Sequence, residues 1–183
     1  ILAGGKSTRT GQNKLGLSFH GQSILRHTIL SVAPFVHSVI VVAGHYYEDI
    51  KKDVEGMLHV HVVYNEMYES GMFSSVQKGL QCSSGDVFIL PGDCPFVLSS
   101  TFTSLLNGTA PLRVPSYLNR FGHPLFMTAN LAKLCLQEPP TSNLRCFRQK
   151  HPIEVVEVMD EAILHDMDTL EDYETLTKWK GVL

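Results

Sequence analysis

The chain opens Ile1-Leu2-Ala3-Gly4-Gly5-Lys6-Ser7-Thr8-Arg9-Thr10-Gly11-Gln12-Asn13-Lys14, and the rest of the architecture can be built outward from this segment. Ile1-Leu2-Ala3 reads as the tail of a strand whose start lies upstream. Two glycines directly after a strand let backbone N–H groups approach a ligand closely, and Lys6, Arg9 and Lys14 add three cations among short hydroxyl side chains. Such a loop suits phosphates. A glycine turn with solvated basic residues is the plainer alternative, but it leaves the clustering of the cations unexplained. The segment holds no G-x-G-x-x-G, which argues against a dehydrogenase-type dinucleotide fold. A Walker A loop would need its first glycine before Ile1 and would turn Ile1-Leu2 into loop.

Downstream, strands and helices alternate without repeats, low-complexity tracts or a linker. Gln22 to Ala33 sets Leu25, Ile29 and Val32 on one helical face, with Pro34 as its stop. Ser38 to Ala43 is an apolar, β-branched run suited to a strand covered on both faces. A short helix over Tyr47 to Val54, a strand over Leu58 to Val63 and a helix from about Ser74 to Gln81 follow. Val87-Phe88-Ile89-Leu90 is a second fully apolar strand, and Ser99 to Leu106 is the helix after it. Beyond Gly108 the pieces shorten. Leu112 to Tyr117 and Pro124 to Met127 form an expected antiparallel pair around Asn119-Arg120-Phe121-Gly122, and Ile153 to Val158 is another strand. A last helix over Leu170 to Lys178 follows the capping pair Asp168-Thr169. The pattern predicts an α/β fold, a doubly wound, mostly parallel sheet with an antiparallel addition in its second half, as one domain over residues 1–183.

Composition excludes several classes of function. Apolar residues at 44% and charged residues at 18% describe a globular chain rather than a disordered one. With 15 Lys+Arg against 18 Asp+Glu the formal charge is −3, so the basic excess of a nucleic-acid binder is missing. No apolar run approaches the roughly 18 residues that cross a bilayer, and no charged-then-apolar leader opens the chain. A soluble protein with no membrane partner is expected. Cys82, Cys94, Cys135 and Cys146 lie far apart with no Cys-x-x-Cys pair, which predicts reduced thiols in a cytoplasm rather than a zinc knuckle or a disulfide framework.

The second chemical signal is Leu90-Pro91-Gly92-Asp93-Cys94-Pro95, at the end of the other apolar strand. Doubly wound sheets bind ligands at the carboxyl ends of strands near the switch point in strand order, where a first and a fourth strand are neighbours. Asp93 is then expected to face the glycine loop. A carboxylate opposite a triphosphate is how Mg²⁺ is held, the phosphates supplying the other ligands. Alone, Gly-Asp-x-Pro reads as a turn with a helix-capping Asp; paired with the first loop, the metal reading is preferred.

Leu-Ala-Gly-Gly-x-Ser-x-Arg-x-Gly-x-x-Lys over positions 2–14, followed by Gly92-Asp93-x-Pro95, resembles the nucleotidyltransferases that move an NMP from an NTP to a phosphorylated acceptor. Three further stretches narrow the likeness: Glu69-Ser70-Gly71-Met72-Phe73-Ser74-Ser75-Val76, Gly122-His123-Pro124, and Asp166-Met167-Asp168-Thr169-Leu170-Glu171-Asp172-Tyr173. In that order they resemble the molybdenum cofactor cytidylyltransferases and their relatives, the molybdopterin-guanine dinucleotide synthases. The likeness covers nearly the whole chain.

The resemblance implies a Rossmann-like nucleotidyltransferase fold and roles for matching positions. Backbone around Leu2, Ala3 and Gly4 would meet the nucleobase, with Gly5 in the same nucleotide-binding loop, Lys6, Ser7, Arg9 and Lys14 would handle the triphosphate, and Gly71, Ser74 and Ser75 would border base and ribose. Gly92 belongs to the nucleotide-binding set, and Asp93 matches the Mg²⁺ ligand, with Asp168 as a second metal carboxylate. Gly122, His123 and Pro124 match a motif near the pterin acceptor. CTP, or GTP, and molybdopterin are the implied substrates, and a recipient molybdoenzyme is an implied partner. Two positions depart from the pattern. Thr10 stands where the family has Met, and Gly4 belongs to the guanylyl branch whereas the cytidylyl branch has Ala there. The second half of the chain looks cytidylyl, so CTP is favoured.

The implied chemistry needs little from the protein beyond positioning. A terminal phosphate nucleophile is already anionic near neutral pH, so no strong general base is required, and the chain offers no recognisable Ser-His-Asp arrangement. Transfer to a sugar phosphate or phosphocholine is the second enzymatic reading, and a non-catalytic nucleotide or cofactor carrier is the third. Other residues take plainer readings. His59 and His61 are expected as solvated strand-face histidines, His45 as a loop or cleft residue, Cys94 as a packing residue, and Asn143 and Arg145 as a helix cap and a surface cation.

Overall fold

The computed structural model describes residues 1–7 and 13–166. The expected helix over Leu170 to Lys178 lies outside the described residues. A single mixed sheet organises the rest. Its strands are β1 (Leu2–Ala3), β2 (Val39–Ala43), β3 (Val60–Tyr64), β4 (Val87–Ile89), β5 (Leu112–Tyr117), β6 (Leu125–Met127) and β7 (Glu154–Glu157). β3, β2 and β1 pair in parallel, and β7 pairs in parallel with β5. β6 runs antiparallel to both of its neighbours, β4 and β5. The two halves join where Leu2 N–H donates to the Leu90 carbonyl at 2.9 Å and Gly92 N–H donates to the Leu2 carbonyl at 2.9 Å. The spatial order is therefore β3-β2-β1-β4-β6-β5-β7, and the strand order reverses between β1 and β4. A doubly wound, mostly parallel sheet with an antiparallel addition is what the chain forms.

Alternation along the strands explains why both faces are covered. Ala3 and Leu90 pack with Leu25 and Ile29 of α1 (Ile24–Val32), Ile50 of α2 (Tyr47–Asp53) and Phe102 of α4 (Ser99–Leu106). Their neighbours Leu2 and Ile89 turn the other way. They join Phe73, Val76 and Leu80 of α3 (Met72–Gln81), Leu131 and Cys135 of α5 (Ala129–Leu136) and Phe147 of α6 (Leu144–Gln149). Two apolar layers thus hold one thin sheet rigid under the loops at its edge.

Local chemistry sets the element ends. The Ser23 hydroxyl accepts from Arg26 N–H at 3.1 Å and so caps α1. The same hydroxyl donates to Asp53 Oδ2 at 2.6 Å, tying α1 to the end of α2. α1 ends at Val32, and the chain continues as a 3-10 turn over Ala33–Phe35, with Pro34 in the first turn where its missing N–H is harmless. Leu112–Tyr117 pairs antiparallel with Leu125–Met127 as expected, but Arg120–Phe121, expected in the connecting turn, forms a short strand on Ser116–Tyr117, and the chain turns at Leu118 and Asn119, both with positive φ, which matches the twist of those strands.

Gly122 answers a packing demand rather than a turn. A Cβ there would overlap the Ile163 carbonyl oxygen, while the next residue's N–H, that of His123, donates to that oxygen at 2.9 Å. Gly122→Ala is expected to push these two backbones apart and cost about 2 kcal/mol. In thermal unfolding that is a fall of roughly 4–8 °C in Tm; an unchanged Tm would contradict the close approach.

Candidate active site

The reversal between β1 and β4 leaves an opening at their carboxyl ends, as open parallel sheets do. A cleft of ≈ 460 Å³ occupies it. The first loop contributes Leu2, Ala3, Gly4, Gly5 and Ser7, and the 3-10 turn that follows contributes Lys14 and Leu15. Pro91, Gly92 and Asp93 follow the end of β4, Tyr68 comes from a 3-10 turn over Tyr68–Ser70, and Gly71, Met72 and Ser75 come from the start of α3. His123 and Asp166 complete the wall. Segments far apart in sequence therefore share one small space, with Gly5 and Asp93 lining it together.

Lys14 and Asp93 are the charged centre of the cleft. Lys14 Nζ lies 2.5 Å from Asp93 Oδ2, with the two side chains only 18% and 11% exposed. Asn13 caps the turn that carries Lys14, its Oδ1 accepting from Leu15 N–H at 3.2 Å, and Lys14 N–H donates to Ser7 Oγ at 3.4 Å. Thr28 of α1 fixes the other partner by donating its hydroxyl to the Gly92 carbonyl at 2.9 Å. Asp93 does not cap a helix. α4 starts at Ser99, and Asp160 serves that end by accepting from Leu98 N–H at 2.8 Å and from the Thr101 hydroxyl at 2.6 Å.

Lys6 sits at the mouth rather than in the cleft. Its ammonium bonds Glu69 Oε1 at 2.5 Å and lies 5.9 Å from the centre of the Tyr68 ring. The bond to Glu69 raises the Lys6 pKa and lowers that of Glu69. Ser74 faces away from the opening, its hydroxyl donating to the Met67 and Gly71 carbonyls at 2.7 and 2.8 Å. Gly4 is a point of close approach: a Cβ there would meet Ser75 Oγ at 2.9 Å. Gly92 is a second, with Leu15 Cδ1 at 3.1 Å from such an atom.

Of the three acceptor-motif residues, His123 alone lines the cleft. Its Nδ1 is buried without a hydrogen-bond partner among the described residues, and burial holds its pKa below the usual imidazole value, against the pull of Asp166 and Asp93. Gly122 sits against the Ile163 backbone instead, and Pro124 is buried. Burial likewise pushes the Cys94 thiol well above its ordinary pKa, with the Asp93 and Asp166 charges adding to the effect, which makes Cys94 an inert packing residue. His45, His59 and His61 are exposed, and Asn143 caps α6 by accepting from Cys146 N–H at 2.9 Å.

Arg9 and Asp168 lie outside the described residues, as does Thr10. Among the described residues Asp166, two positions before Asp168, shares the cleft with Asp93. Its motif is visible in the sequence, but residue types alone give Asp166 no role there. Tyr68 and Asn65 belong to none of the motifs; the signal available for Asn65 is its position directly after a strand that ends at this edge.

Residues 1–155 match the MobA-like NTP transferase domain. A molybdenum cofactor cytidylyltransferase of Escherichia coli K12 is 26% identical over 96% of this chain and 92% of its own length. A probable molybdenum cofactor guanylyltransferase of Bacillus cereus is 29% identical over 60% of this chain and 55% of its own length. The Rv0371C protein of Mycobacterium tuberculosis H37Rv, solved in complex with manganese, shares the fold at a TM-score of 0.77 and 21% identity, covering 97% of this chain and 95% of that one. With its glycine loop and Asp93 gathered at the sheet's reversal point, the chain belongs to the MobA-like NTP transferase domain family and is a nucleotidyltransferase.

Proposed function

We propose that the protein transfers CMP from CTP to the terminal phosphate of molybdopterin and releases pyrophosphate. The observation that carries this is the Lys14–Asp93 pair facing the glycine loop inside one cleft. An acceptor phosphate oxygen forms a bond to the α-phosphorus while the bond from that phosphorus to the β-bridging oxygen breaks, and the electron pair leaves with pyrophosphate. The nucleophile is an anion already, so the protein's work is alignment and charge neutralisation.

Asp93 and Asp166 fit a divalent cation, Mg²⁺ in this reading. Both are hard oxygen donors on the same cleft, and among the described residues no group of three or more candidate ligands would bind a metal unaided. That suits a cation arriving with the triphosphate. When bound, it supplies positive charge to the phosphate oxygens. Lys14 holds the β- and γ-phosphates at the charged end, with Ser7 and the N–H groups around Gly4 and Gly5 beside it. Arg9 and Lys6 act from the loop and the mouth, Lys6 after leaving Glu69. The uncharged end, between Gly4, Tyr68, Met72, Gly71 and Ser75, takes base and ribose. His123, whose burial disfavours the charged imidazolium, lines the acceptor's side, and Asp168 is a further metal carboxylate in the same reading.

GTP is the second nucleotide to consider, because Gly4 is the guanylyl branch's residue at that position. The test offers CTP, GTP, ATP and UTP separately with Mg²⁺, each paired with molybdopterin or with common sugar phosphates, and follows pyrophosphate. The expected result is release that needs molybdopterin and is fastest with CTP. Release driven by a sugar phosphate and not by molybdopterin would overturn the assignment.

A further inference from the structure

Asn65 is a polar side chain left 3% exposed that the chemistry above does not use. It follows β3 directly, its backbone N–H donating to the Ala43 carbonyl at 2.9 Å, so it is anchored at the same sheet edge as the cleft. Its Oδ1 accepts from Met67 N–H at 3.1 Å, and because that partner is a donor, the amide orientation is fixed. Nδ2 therefore gives its protons to Ser74 Oγ at 2.9 Å and Ser75 Oγ at 3.0 Å.

The two hydroxyls differ in what remains. Ser74 spends its own proton on the Met67 and Gly71 carbonyls. Ser75 has no such carbonyl among the described residues; Asn65 occupies a lone pair, and the hydroxyl proton is left for the cleft that Ser75 lines. Gly4 leaves room for that hydroxyl, which stands 2.9 Å from where a Cβ would be. Ser75 thus presents a donor at the uncharged end, where the base of a triphosphate anchored on Lys14 must lie.

We propose that Asn65 is a positioning residue for base selection, fixing the Ser75 hydroxyl as a donor toward the ring-nitrogen acceptor N3 of cytosine. UTP presents N3–H at that place, so donor meets donor and a buried group stays unpaired. The inference rests on the pyrimidine reading of the proposed function and extends it to a residue with no direct ligand contact.

Asn65→Asp inverts the polarity at nearly constant shape. The carboxylate accepts from both serines, the Ser75 proton turns to it, and a lone pair faces the cleft. The test measures Kd for CTP and UTP by calorimetry with Mg²⁺ and without acceptor, in the wild type, Asn65→Asp, Ser75→Ala and the double variant. The preference for CTP over UTP is expected to fall at least ~10-fold in Asn65→Asp, which one displaced hydrogen bond can supply. Ser75→Ala should lose the preference too, and the double variant should match Ser75→Ala. Ser75→Ala leaves the Asn65 network otherwise intact and serves if Asn65→Asp does not fold. CTP bound with a preference unmoved in the folded variants overturns this inference alone. A wild type that binds neither nucleotide overturns the proposed function with it.

Discussion

Asp93→Asn is expected to slow pyrophosphate release at least ~100-fold, the loss typical of removing one preorganised electrostatic group from a reacting centre. The substitution keeps size and hydrogen-bonding capacity but removes the negative charge that Lys14 and a divalent cation share. The local backbone should hold, because Gly92 is fixed independently by Thr28 and by the backbone bond to Leu2, but Lys14, 18% exposed, loses its counter-ion, so stability should fall as it does when a part-buried ion pair is broken from one side. Binding of nucleotide should change less than turnover, since Lys14 and the glycine loop remain. A folded Asp93→Asn protein turning over within ~3-fold of wild type would remove Asp93 from the chemistry, because no uncompensated effect of ~100-fold could then be assigned to it.

Lys14→Met is expected to lower turnover by a similar ~100-fold and to lower stability as well. Met keeps most of the side-chain bulk but leaves the Asp93 carboxylate, 11% exposed, without its counter-ion. Breaking a buried pair from one side costs about 3–5 kcal/mol, and the residual water contact here reduces that to about 2 kcal/mol. Tm should fall by roughly 4–8 °C. Added Mg²⁺ should restore part of it, since a cation binding only the folded state at the unpaired carboxylate stabilises by mass action. Restoration of Tm without restoration of turnover separates the two duties of Lys14, as Asp93's partner and as a phosphate ligand. A Lys14→Met protein with unchanged Tm would contradict the ion pair.

The same two residues show what is legible in the sequence. Lys14 and Asp93 lie in motifs whose residue types announce phosphate and metal chemistry, and each follows a strand end that can be read from an apolar run. Their 2.5 Å contact follows from the pairing of Leu2 with Leu90 and Gly92, which sets β1 beside β4 at the sheet's reversal. Strand order is a long-range property, and no local pattern states that β6, three residues buried on both faces, inserts antiparallel between β4 and β5. The hairpin Ser18–Phe19 with Gln22–Ser23 is absent from the expected elements because His20 takes a positive φ that Asn, Asp or Gly usually supplies, leaving Gly21 as a lone signal. α5 is absent from them too, although Leu131, Ala132 and Cys135 carry the right spacing for one buried face. Asp166 gains its place from packing, since a motif identifies a segment and the cleft wall shows that Asp166 belongs to it. Asn65 escapes for a different reason. A single polar residue after a strand reads as a turn, and its two serine partners become visible only once α3 is in place.

One cleft must receive both the triphosphate and the cation. The most direct measurement is a crystal of the protein grown with Mn²⁺ and a non-hydrolysable CTP analogue, with the metal located by anomalous scattering. The result predicted is Mn²⁺ between the Asp93 carboxylate and the triphosphate, Lys14 turned from Asp93 to the phosphates, and the base beside Gly4 and Ser75. Metal or nucleotide bound elsewhere on the protein, with Lys14 still paired to Asp93, would contradict it.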